Sequence, residues 1–265
     1  MNYLIYGVLR ARDRVPDNVP PGVEGGEVSL LAVDSLAAGF SRVPPGGAVP
    51  TLPRLKAYAR VVEALHESCT VLPVRYGCEL PTRARVEELL RERHAEFHAA
   101  LNAVEGCVEL GVHVLLGRRE RPVSKNVGPA LGLSPGKAYL AAREARYTAK
   151  DQEAGESEVM ARRIEKAFDR LRVQCLAEPP GAGRERLLTL HFLVRRQDQE
   201  CFRQAFRRLE KSAPEKLLLS GPWPPYNFTS CHQATPSLDR VRQAFSLNLP
   251  VNPASALPPS PQEKP

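Results

Sequence analysis

The order of the periodic segments between Cys107 and Ser220 constrains the fold more than any other feature of this chain. "CVELGVHVLL" (107–116) alternates: Val108, Leu110, Val112 and Val114 point one way, while Glu109 and His113 share the other face. Helical periodicity follows over about 137–172, with Gly155 as a point of interruption. Two strand patterns, "VQCLAE" and "RLLTLHFLV", then flank "PPGAGRE", whose Pro and Gly residues predict a hairpin. A helix over 198–211, on Cys201, Ala205 and Leu209, leads to a last strand at 216–220. Strand, helix, strand, strand, helix, strand is the ferredoxin-like order, an antiparallel sheet backed by two helices. The expected fold class is α+β.

The first half is also mixed. Residues 2–10 read as a buried strand, and a second strand around 27–33 follows the Pro/Gly loop "VPDNVPPGVEGG". Asp34 offers an N-cap for a short turn, and "VPPGGAVPTLP" is a further loop. Leu52, Leu55, Tyr58, Ala59, Val62 and Leu65 predict a helix over 52–68, and "TVLPVRYG" a short strand that Pro73 restricts to an edge or a bulge. Thr82 caps a long helix on Val86, Leu89, Leu90, Phe97, Leu101 and Val104, which Gly106 ends. The chain therefore divides into an N-terminal α+β domain (1–106), a ferredoxin-like domain (107–232) and a Pro-rich tail (233–265). Residues 236–265 hold seven prolines, and nothing after Asn248 is periodic, so the tail is expected to be largely disordered. Within it, "SLDRVRQAF" places Leu238, Val241 and Phe245 on one side of two helical turns, and docking on the chain itself or on a partner stays open.

Chemistry is sparse. The formal charge of +7 fits weak attraction to acidic partners, but basic and acidic residues alternate between Arg143 and Arg172, as on a solvated helix face. The opening "MNYLIYGVLRAR" lacks the basic region and apolar length of a signal peptide, and no segment reaches membrane length, so a cytoplasmic protein is expected. The six cysteines form no CxxC pair and read as free thiols in a reducing compartment. His94 and His98 stand four apart but lack the HExxH glutamate and a nearby third ligand. Glu109 and His113 could pair as acid and base, and Cys69 or Cys78 beside His66 could form a nucleophile; packing roles explain each more simply. "GPALGLSPGK" (128–137) has the wrong glycine spacing for a phosphate loop. These readings predict no enzyme activity, no metal and no cofactor. A basic nucleic-acid-binding module with a ferredoxin-like domain is the alternative, although the strands lack the aromatic pairs that stack bases, with Phe192 alone in "RLLTLHFLV".

Three motifs carry more. In "LSGPWPPYNF" (219–228), Gly221 permits the chain to leave its strand, Pro222, Pro224 and Pro225 fix φ, and Trp223, Tyr226 and Phe228 offer large apolar faces. Either these rings clamp the last strand onto the core, with the tryptophan as buried anchor, or they form a preformed platform for a partner. Together with "TVLPVRYG" (70–77) and "GKAYLAAR" (136–143), this motif resembles the gas vesicle accessory proteins of the F/L type, and "YLIYGVL" and "VELGVHV" are similar to that family as well. The resemblance covers roughly residues 2–230 and rests on Leu72, Pro73, Arg75, Tyr76, Gly77, Tyr139, Leu140, Gly221, Pro222, Trp223, Pro224, Pro225, Tyr226 and Phe228, with Tyr76 in place of an expected phenylalanine. It implies a non-enzymatic, minor component that helps a small, very apolar shell protein assemble. It implies the same two α+β domains, the shell protein and other gas vesicle accessory proteins as partners, and no nucleic acid or lipid membrane.

Overall fold

The computed structural model describes residues 1–13, 18–116, 143–144, 154–178, 180 and 186–229. They form a mixed helix and antiparallel-sheet (α+β) structure with two sheets.

The first sheet is built on β1 (Asn2–Arg10), whose residues from Leu4 onward are all buried. Such a run needs cover on both faces, and it has it. The strand order is β2 (Ser29–Val33), β3 (Leu36–Val43), β1, β4 (Val71–Pro73), with β5 (Glu79–Leu80) pairing β1 beside β4. Helix α1 (Leu52–Ser68) packs Tyr58, Val61, Val62 and Leu65 against Leu4, Tyr6 and Val71 on one face. Helices α2 (Arg83–Glu92) and α3 (His94–Ala103) pack Val86, Leu90, Phe97 and Leu101 against Ile5, Val8, Leu31 and Leu72 on the other. A β-bulge between Ile5 and Gly7 lets residues three apart in sequence share that face.

Two features differ from the pattern reading. β3 was not expected: its Ala–Ala–Gly stretch has weak strand propensity, yet it is central, paired to β1 on one side and β2 on the other. Asp34, at φ 53°, sits in the two-residue turn joining β2 to β3. The long helix is also broken at Arg93 (φ −109°, ψ 20°). No glycine or proline marks the break. Its cause is tertiary, since α2 packs over β2 and β3 while α3 packs over β1 and β4. Thr82 caps as expected, its hydroxyl accepting from Arg85 N at 3.2 Å. Pro73 lies in β4, a strand paired only to β1.

The second sheet has the order β7 (Gln174–Glu178), β8 (Arg186–Arg195), β6 (Cys107–Leu116), β9 (Lys216–Trp223), every neighbouring pair antiparallel. Helices α4 (154–167) and α5 (Gln199–Ser212) cover one face; Gly155 is the second described residue of α4, and residues 145–153 before it lie outside the described residues. There Leu110, Val112, Val114, Leu190 and Phe192 meet Ile164, Phe168, Phe202 and Phe206, and the Phe168 and Phe202 rings stack 4.1 Å apart. By alternation, Glu109, Gly111, His113 and Leu115 of β6 face the opposite side. One end of that side is covered, since Cys107 and Leu193 belong to the same buried cluster as α2 and α3.

Candidate functional site

The 219–228 motif begins inside β9. Gly221 has φ 98°, and a Cβ there would stand 2.7 Å from the Glu109 carbonyl oxygen. Only glycine meets both conditions. The Gly221–Pro222 peptide is cis, and Trp223 ends the strand opposite Glu109. The residue is 43% exposed, so the expectation of a buried tryptophan anchor is corrected: it ends an edge strand, which has a partner strand on one side only. Pro224 and Pro225 are buried and the chain turns over them, with Tyr226 N donating to Pro224 O at 2.7 Å and Phe228 N to Pro225 O at 3.3 Å. Tyr226 then packs against the α1 layer, and Phe228 inserts with Leu193 into the α2–α3 layer. Burial pushes the Tyr226 phenol up, and the charges of Glu63 and Glu109 add to the shift.

Asn227, between these two rings, was not singled out in the sequence. Its backbone N donates to Glu109 Oε2 at 2.9 Å and its side-chain Nδ2 to Oε1 at 2.6 Å. His191 Nδ1 reaches the same Oε1 at 3.0 Å. Glu109 is 4% exposed, so these three donors replace its lost water. The hydrogen bond to Glu109, strengthened by the nearby carboxylates of Glu109 and Glu178, holds His191 above the ordinary histidine range against the opposing effect of burial. His191 Nε2 is 3.5 Å from Glu178 Oε2.

Glu109 and His113, two residues apart on one strand, therefore do not pair with each other, and each has a packing role. Glu109 pairs with His191 across the strands, Gly111 standing opposite His191 in the register. His113 instead bridges the sheet, Nδ1 3.1 Å from Thr189 Oγ1 and Nε2 2.8 Å from Ser220 Oγ. Burial, then the neighbouring His191, lowers its pKa. Both Glu109 oxygens and both His113 nitrogens are spent on internal hydrogen bonds. The cluster holds the 224–229 segment to the sheet. Period-two reading places residues on a face, but it cannot show which strand lies alongside, and so it missed His191.

The second motif lies in the other half. Leu72 and Pro73 are buried in β4, Arg75 is exposed, and Gly77 has φ 91°. The Tyr76 ring stands edge-on to Tyr58 at 5.2 Å. The nearest of three carbonyls to the Tyr58 hydroxyl is Val74 O, at 2.6 Å. Tyr76 and Tyr226 pack on the same α1 layer, so the fold brings "LPVRYG" and "GPWPPYNF" together there. Tyr139 and Leu140 lie outside the described residues.

Elsewhere, the His94 and His98 rings lie 6.3 Å apart, with His94 Nε2 2.8 Å from Ser35 Oγ and His98 Nδ1 3.4 Å from Asn102 Nδ2. Among the described residues, no group of three or more His, Cys, Asp or Glu is arranged to hold a metal ion. Burial pushes the Cys69 thiol up to about 11 and Cys175 to about 12, and raises Cys78 and Cys107, which makes all four poor nucleophiles. No described helix is long and apolar enough to cross a membrane.

Comparison with known proteins gives one consistent answer. The crystal structure of GvpF from Anabaena sp. superposes with a TM-score of 0.68 at 16% identity, covering 86% of this chain and 95% of that one. GvpF from Microcystis aeruginosa gives 0.69 at 14% identity, covering 86% and 98%. At those identities the likeness establishes the fold. In sequence, the chain is 25% identical to gas vesicle protein F1 of Halobacterium salinarum, over 87% of this chain and 94% of that protein. It is 27% identical to gas vesicle protein L of a Streptomyces species, over 84% and 91%. The family model of gas vesicle synthesis protein GvpL/GvpF matches residues 2–230, and the chain belongs to that family.

Proposed function

We propose that this protein is a non-enzymatic accessory factor of gas vesicle formation, which assists assembly of the small apolar shell protein and stays with the vesicle as a minor component. The observation that carries the reading is the family match across residues 2–230. It works in the cytoplasm, with the shell protein and other gas vesicle accessory proteins as partners. Its C-terminal half (107–232) is a ferredoxin-like domain joined near Gly106 to an N-terminal α+β domain (1–106). The strand order β7–β8–β6–β9 with two helices on one face supports that assignment. Within the 219–228 motif the roles divide. Tyr226 and Phe228 hold the segment to the N-terminal half, whereas Pro222 and Trp223, both exposed, present an apolar surface to a partner.

The test is genetic. Removing this gene from a cell that makes gas vesicles should abolish buoyant vesicles, and the wild-type gene should restore them. A Trp223→Ala gene should yield folded protein at normal abundance and few vesicles. Normal vesicles in the deletion strain would end the proposal, and normal vesicles with Trp223→Ala would end the platform role of the tryptophan.

A further inference from the structure

His191 stands between two carboxylates on the face of the second sheet turned away from α4 and α5. Its Nδ1 is 3.0 Å from Glu109 Oε1 and its Nε2 3.5 Å from Glu178 Oε2. Gly111, opposite His191 in the register, has no side chain, and the ring reaches Glu109 in the next row. The side chains of His191 and Glu109 are 15% and 5% exposed, whereas that of Glu178 is 65% exposed. Among the described residues Glu109 has one ion-pair partner, His191. The other described titratable groups nearby are His113 of β6, the Tyr226 phenol and, acting on that phenol together with Glu109, Glu63 of α1. Burial keeps His113 neutral near pH 7, so His191 alone can offset the Glu109 charge.

One proton decides how this cluster is bonded. Asn227 Nδ2 is 2.6 Å from Glu109 Oε1 and 3.0 Å from His191 Nδ1. With Nδ1 protonated, ring and amide both donate to Oε1, and the imidazolium offsets the carboxylate. With Nδ1 bare, its lone pair accepts the second Asn227 amide proton, and Glu109 is left a buried anion held by neutral donors. That neutral hydrogen bond returns less than the loss of a buried counter-charge costs. Asn227 N and Nδ2 occupy both carboxylate oxygens, so Asn227 has to lift before water can replace the missing charge. Tyr226 and Phe228, seated on opposite layers of the first sheet, keep closure the resting state, and the proton sets how often the middle of the segment opens.

We propose that His191 is a proton-operated latch on the 224–229 segment: its protonated ring, with Glu109 and Asn227, holds the segment on the second sheet, and loss of the proton lets Asn227 lift and water reach Glu109. Trp223 stands opposite Glu109 in the register and precedes the segment, so its end of β9 loosens with it. The hydrogen bond to Glu109 raises His191 above the ordinary value, so the latch is closed most firmly below about 6.5. From there the open-to-closed ratio rises by up to about tenfold per pH unit, and it levels off above the closed-state value. The latch rests on this geometry alone; that it tunes the surface offered to a partner rests on the platform reading of Trp223.

The test uses the full-length chain between about pH 6 and pH 9. Trp223 is its only tryptophan, so acrylamide quenching of the intrinsic emission reports the end of β9, and hydrogen exchange at the Asn227 amide reports the segment. The wild-type Asn227 protection factor should fall several-fold as the pH rises through the His191 titration followed by NMR, and quenching should rise along the same curve. Glu109→Gln, which leaves no buried charge to offset, should hold protection constant over the range. His191→Gln should behave at every pH as the wild type does at the alkaline end, with a matching melting temperature there as the check that it folds. A flat wild-type protection factor overturns the proposal, as does a pH dependence that survives in either variant. The readout involves no shell protein, so normal vesicles with Trp223→Ala would end the platform role and leave the latch standing.

Discussion

Phe228 and Trp223 are two large rings five residues apart with opposite settings, and their truncations should separate. Phe228 is buried between Leu193 and the α2–α3 layer, so Phe228→Ala should cost about 3–5 kcal/mol. Trp223→Ala, at an exposed strand end, should cost about 1 kcal/mol. Urea denaturation measures both, and equal losses would mean that the tryptophan is an anchor after all. Two histidines set opposite pH limbs. Burial, with Arg196 alongside, holds His66 down to about 4, and neither of its ring nitrogens has a hydrogen-bond partner among the described residues. Its neutral form belongs to the folded state, so its contribution is complete above the unfolded value of about 6.5 and is lost as the pH falls toward 4, up to about 3 kcal/mol. His66→Leu should flatten that acid limb in melts taken across pH 4–7. For His191 the shift is upward, so its contribution is complete below about 6.5 and fades as the pH rises through the folded value. Glu109→Gln should lower the His191 pKa seen by NMR titration; an unchanged value would show that Glu109 is not its partner.

Among the elements, β9 depends most on a single residue. Gly221→Ala would force a Cβ against the Glu109 carbonyl at positive φ, so it should destabilise by more than about 1 kcal/mol, and it should also lift Asn227 from Glu109. Circular dichroism melts check the first effect, and hydrogen exchange at the Asn227 amide the second. Elements with strong periodicity were legible in the sequence. Leu52–Ser68 is α1 as written, and the alternation of Cys107–Leu116 gives the correct inward face of β6. Elements set by their neighbours were not. Ala37, Ala38 and Gly39 form a strand because β1 and β2 lie on either side, and the helix breaks at Arg93 because two parts of the sheet need cover. The motifs were legible as a family signature, but Asn227 has no apolar signature, and its role shows only with Glu109 placed opposite.

On the scale of the whole molecule, segment 224–229 is tied to both halves. Asn227 holds it to the second sheet, while Tyr226 and Phe228 seat it on opposite layers of the first. "LPVRYG" meets it at the α1 layer, which gives a physical reason for both motifs to be present in one chain. Family membership places this architecture in gas vesicle biology, and the proposed role is contact with the shell protein. Affinity isolation of the tagged protein from cells making gas vesicles tests that contact most directly, with nuclease treatment and a salt series to separate it from the basic charge. The account predicts that the shell protein is retained after nuclease treatment, that retention falls with Trp223→Ala, and that it survives moderate salt. Retention of nucleic acid with a steep salt dependence, and of no gas vesicle protein, would contradict it.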